Sequence, residues 1–181
     1  MNEHDWIPFW LLPAAAFVAP AYAADYLTVE QAQRLLFPDA RVFLEYPLKL
    51  TKEQRDQIKR QAGVRQRRET QPVWRAEQDG RLLGWFIVDE VIGKHEFITY
   101  AVALSPDGRV LGVEIMNYRE TRGGEVRAAE WRGHFTGKTL ADPFKLDQDV
   151  PNISGATLSC RNLTDGVKRL LVLQKVVLPD E

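Results

Sequence analysis

The sequence predicts an α+β fold: an antiparallel sheet of hairpins packed with helices. Three observations predict it. Between residues 73 and 116, apolar residues recur with the period of strands, and short turn-forming stretches interrupt them. Segments with helical spacing lie on both sides of that stretch. Strands and helices cluster by type instead of alternating strictly, which separates this pattern from a parallel βαβ arrangement.

Each element has its own signal. Ile7 to Ala19 ("IPFWLLPAAAFVA") is an apolar run of the length of a signal peptide's hydrophobic region, followed by Ala21-Tyr22-Ala23, small residues at a cleavage-site spacing. The expectation is a signal peptide over 1–23, cleaved after Ala23. The n-region "MNEHDW" has no Lys or Arg, so a short anchor is the alternative. A helical region is expected over 24–71. In "LTVEQAQRLL", Thr28 stands three residues before Gln31, a capping-box spacing. "LTKEQRDQIKRQAG" repeats it with Thr51 and Gln54, and Gly63 is the expected stop. The basic run "RQRRET", Arg65 to Thr70, reads as a solvated face, with an anionic partner surface as the minority reading.

From residue 72 to the C-terminus the chain reads as one further domain. "VWRAEQ" and "RLLGWFIVDEV" flank Asp79-Gly80, and "FITYAVAL" and "RVLGVEIM" flank "SPDG", Ser105 to Gly108. Both turns have hairpin chemistry. In the last helical segment, Leu163, Val167, Leu170, Leu171 and Gln174 share one mostly apolar face. On the other side Asp165 and Arg169 have the i, i+4 spacing of an ion pair.

Composition narrows the function. The chain has 181 residues, is 45% apolar and carries a formal net charge of −1, so it can bury a core and lacks the basic excess of a nucleic-acid binder. One cysteine, Cys160, excludes an intrachain disulfide and a cysteine-built zinc site. His4, His95 and His134 are scattered without metal-ligand spacing.

The segment with chemical promise is "NISGATLSC", Asn152 to Cys160. Gly155 permits backbone angles that larger residues resist, and Ala156 leaves room for a ligand. A helix expected to start near Ser159 would aim free N–H groups and its positive dipole end at Thr157, an arrangement that suits a phosphate. The plainer reading is that Thr157 or Ser159 caps the helix.

"SGATLS" resembles the flavinylation motif of the FMN-binding domain family, which includes the C subunit of sodium-pumping quinone reductase and the G subunit of Rnf complexes. The likeness continues upstream in "GWFIVDEVIGKHEFITYAVALSPDGRVLGVEIMNYRETRGGEV". It implies an FMN-binding domain over 72–181, with FMN joined through its phosphate to Thr157 by a dedicated flavin transferase outside the cytoplasmic membrane. It also implies a cofactor site formed by Ser154, Gly155, Ala156, Leu158 and Ser159. Glu120, Thr121, Gly123 and Gly124 join it, the glycines admitting the ring system and Glu120 and Thr121 orienting their loop.

Two positions depart from the family's pattern. Asn152 stands where the family has Asp, with Asp149 nearby as a substitute, and Arg122 replaces a proline in "ETRGG". Trp85, Tyr118, Trp131 and Phe135 are candidates for packing near the ring, or for the core. His134 is a candidate proton donor or a structural histidine, and Cys160 reads as a small buried thiol. The expected function is a periplasmic or otherwise extracytoplasmic electron carrier working with a membrane electron-transfer protein. The alternatives are a scaffold module that never receives flavin and a small flavin-dependent reductase.

Overall fold

The computed structural model describes residues 24–179; the expected signal peptide lies outside the described residues. In chain order the elements are β1 (Ala24–Asp25), α1 (Val29–Leu36), β2 (Val42–Glu45), β3 (Leu48–Lys49), α2 (Lys52–Ala62) and β4 (Thr70–Gln71). There follow β5 (Val73–Gln78), β6 (Arg81–Ile92), β7 (Phe97–Leu104), β8 (Val110–Tyr118), α3 (Ala129–Gly133) and α4 (Thr157–Val177). The α+β expectation holds. Both expected capping boxes are present: the side chains of Thr28 and Thr51 accept from the backbone N–H of Gln31 and Gln54, whose side chains accept in return. Gly63 ends α2 in the left-handed conformation.

The main sheet is antiparallel, with strand order β1-β8-β7-β6-β5-β2. Asp79 and Gly80 both take positive φ in the β5–β6 turn, as that two-residue hairpin requires. The segment read as helical also supplies strands: β2 pairs with β5, and the short β3 pairs with β4. Alternate β7 residues face opposite layers. Ile98, Tyr100, Val102 and Leu104 join the core under α2 and α4. Ala101 and Ala103 face α1, whose Ala32 packs with Phe37 and Phe86. Among the described residues no helix is long and apolar enough to cross a membrane.

One sequence expectation fails in α4. Arg169 does not pair with Asp165 on a solvent face. It is buried, donating to Asp89 and to Gln66, while Asp89 also accepts from the Tyr100 hydroxyl at 2.8 Å. Helical spacing sees only neighbours on one helix, whereas Asp89 arrives from β6. Gly166 permits this close approach, since a Cβ there would lie 2.4 Å from the Tyr100 hydroxyl. Burial pushes the carboxyl of Asp165 up, against the opposing charges of Arg161 and Lys168.

Candidate functional site

Three chain segments that are distant in sequence meet at the start of α4. They are the β6–β7 turn, the loop after β8 and the loop leading into α4. Together they line a cleft of ≈ 650 Å³. Of the residues expected from the sequence, Glu120, Thr121, Gly155, Ala156, Thr157, Leu158 and Ser159 line it. Ser154 and Gly124 line an adjoining depression beyond Arg122 and Gly123.

The start of α4 differs from the sequence expectation. The helix begins at Thr157, with Ala156 in the cap position and no side-chain capping bond. Thr157 is therefore the first helical residue and caps nothing, and Ser159 is buried within the first turn. The capping reading of these hydroxyls is thereby excluded. The N–H groups of the first turn are left without a side-chain acceptor, and the positive end of the helix dipole faces the cleft.

Gly123 packs tightly between two loops. Gly123 has φ +82°, and a Cβ there would sit 2.2 Å from the Ala156 Cβ and 2.7 Å from the Tyr118 hydroxyl. It joins the loop after β8 directly to the loop before α4. Tyr118 is 4% exposed and donates to the Arg122 carbonyl, fixing the loop from beneath. Burial raises its phenol pKa, so it stays a neutral donor.

Glu120 orients a neighbouring segment. Its carboxylate accepts from the backbone N–H of His95 at 2.5 Å and of Glu96 at 3.0 Å, holding the β6–β7 turn against the cleft. Burial pushes this carboxyl up, but the N–H groups of Glu96, His95 and Lys94 outweigh it, leaving the group below the ordinary carboxylate value. Glu120 is thus an ionised clamp.

The same turn brings in two residues that sequence reasoning missed, Lys94 and His95, which line the cleft with Arg122. Their only sequence signal was a basic side chain and an imidazole between two strands. With the Glu120 carboxylate held by backbone N–H groups, the cleft presents Lys94, Arg122 and the first N–H groups of α4 beside Thr157, a set that suits an anionic phosphoester.

Other candidates lie elsewhere. Trp85 is fully buried in the core against Tyr46. Trp131 and Phe135 stack edge to face in the core, and the Trp131 indole donates to the Pro151 carbonyl at 2.8 Å. His134 is exposed at the end of α3 and does not line the cleft. Cys160 is buried, as expected. Asp149, the expected substitute for the family's acid at Asn152, is engaged within its own loop. Its carboxylate is held by Lys138 at 2.7 Å and by the N–H groups of Phe144 and Lys145, bracing its own loop.

The chain is similar to known proteins over the part that holds this cleft. The FMN-binding domain family matches residues 93–172, a span that holds Thr157 and the other residues of the expected cofactor site. The G subunit of the ion-translocating oxidoreductase complex of Stutzerimonas stutzeri is 30% identical over 113 residues, 56% of this chain and 50% of that protein. The G subunit of the proton-translocating ferredoxin:NAD(+) oxidoreductase complex of Clostridium ljungdahlii is 32% identical over 104 residues, 52% of this chain and 56% of that protein. The chain spans about half the length of the curated relatives it matches. The crystal structure of Shewanella oneidensis NqrC has the same fold, with a TM-score of 0.55 over 79% of this chain and 87% of that chain, at 19% identity.

Proposed function

Because residues 93–172 of this chain match the FMN-binding domain family, we propose that it is an extracytoplasmic electron-transfer flavoprotein with FMN joined by its phosphate to Thr157. The observation that carries this reading is the position of Thr157. It opens α4 without capping it, in a cleft lined by Lys94, His95 and Arg122. The residues present fit the phosphate end of the group, since uncapped N–H donors and cations both favour an anion.

FMN, when bound, supplies one- or two-electron transfer. The chain's own residues hold and orient. The first turn of α4, with Lys94 and Arg122, would offset the phosphate charge. Gly123 and Tyr118 lock the two loops together, and the Glu120 carboxylate keeps the β6–β7 turn in place. Attachment forms a bond from the Thr157 oxygen to phosphorus, with loss of the hydroxyl proton and of the leaving group on an activated flavin nucleotide. A flavin transferase supplies that step, and a membrane electron-transfer protein is the redox partner.

One observation favours a second reading, a scaffold of the same fold that is never flavinylated: Asn152 lacks the acid and Asp149 is committed to Lys138. Co-expression with a flavin transferase decides. The proposal expects protein that stays yellow after acid precipitation and a Thr157 peptide heavier by FMN less water, with Thr157→Ala colourless. Colourless wild type beside an active transferase would overturn the covalent attachment.

A further inference from the structure

A second cleft, of ≈ 990 Å³, opens at the other end of α4. At 1.5 Å per residue, its Gln174 lies about 25 Å along the helix from Thr157. The turns of the β5–β6 and β7–β8 hairpins form its rim. Its volume is at the upper end of the ~300–1,000 Å³ of small-molecule sites.

Its chemistry is specific. Leu82, Leu140 and Leu171 give it an apolar wall. Arg81 and Lys175 stand exposed at its edge, and neither has an ion-pair partner among the described residues. The lining acid, Asp107, is engaged by the Ser105 hydroxyl.

Gln174 is 1% exposed, and its amide nitrogen donates to the carbonyls of Ser105 at 2.7 Å and Pro106 at 3.0 Å. Its amide oxygen has no hydrogen-bond partner. Trp85, fully buried, has its ring 5.9 Å from the guanidinium of Arg75, another lining residue. The Trp85 indole N–H is also without a partner. Buried polar groups are rarely left unpaired, and each such case calls for a missing partner.

We propose that this cleft binds a small amphipathic anion bearing an N–H or O–H donor. The apolar body lies on the leucine wall, the anionic group meets Arg81 and Lys175, and the donor reaches the Gln174 oxygen directly or through one water. The argument is independent of the flavin reading.

The test titrates ¹⁵N-labelled protein with 8-anilinonaphthalene-1-sulfonate, a probe with an aromatic body, a sulfonate and an N–H. One saturable site is expected. Shifts should concentrate at Gly80, Gly108 and the Gln174 side-chain amide, while Gly155 and Ser159 stay still. Arg81→Glu with Lys175→Glu should weaken binding about tenfold or more, from two lost surface attractions and two added repulsions. Dispersed spectra of that variant would show the fold intact. Absence of saturable binding, unchanged affinity in the variant, or shifts centred on exposed Val42 and Leu44 or on the Thr157 cleft would overturn the proposal.

Discussion

Helices α2 and α4 both begin at a threonine, yet the two threonines stand in different positions. Thr51 lies just outside α2 and closes a full capping box with Gln54. Thr157 lies just inside α4, behind an alanine that caps nothing. The helices differ in what else holds them. Of α2, only Ile58 and Ala62 are buried, so its start needs local bonds. More than half of α4 is buried, and Arg169 ties it to β6 through Asp89. A helix secured along its length can leave its first turn free for a ligand.

The strongest way to break this comparison is to remove the tie. Arg169→Met leaves the Asp89 carboxylate buried without its cation and should cost about 3–5 kcal/mol in urea denaturation. A loss below about 1 kcal/mol would mean that α4 is not held there. Next is Gly123→Ala, which must strain a positive φ and displace Ala156 or Tyr118. It should cost about 1–3 kcal/mol and, under the proposed function, slow flavin attachment, measured as the modified fraction against time.

The two threonines give a direct contrast. Thr51→Ala should lose about 1 kcal/mol, the usual value of a cap, whereas Thr157→Ala should stay within about 0.5 kcal/mol of wild type. Equal losses in the two denaturation midpoints would show that Thr157 is structural after all. The smallest effect concerns Glu120. Its folded-state pKa is depressed, so its charge contributes stability above the unfolded carboxylate value of 4.5 and loses it as pH falls through the folded value. The stability gap between wild type and Glu120→Gln should therefore be open at neutral pH and close on acidification.

What could be read from the sequence follows the range of the forces involved. Thr28, Thr51, Gly63 and the Asp79-Gly80 turn act over three or four residues, and all four behave as their spacing predicts. Arg169 could not be placed that way, because its partner is 80 positions away and spacing along one helix offered the wrong acid. Lys94 and His95 escaped for the same reason, since nothing local in a hairpin turn reveals that Glu120 will draw it toward Thr157. β2 was hidden because an edge strand with three exposed residues out of four lacks the alternation of a half-buried one. The motif threonine was legible, but its freedom from capping was not, because that depends on where the helix begins.

The sheet order carries a consequence for how the molecule comes apart. β1 joins one margin of the sheet and β2 the other, with four strands between them, and α1 spans the gap across one face. The N-terminal stretch is therefore a strap buckled at both ends. If it detaches as one unit, amide exchange at the two margins rises in step, so the rims most remote from each other share a single opening event.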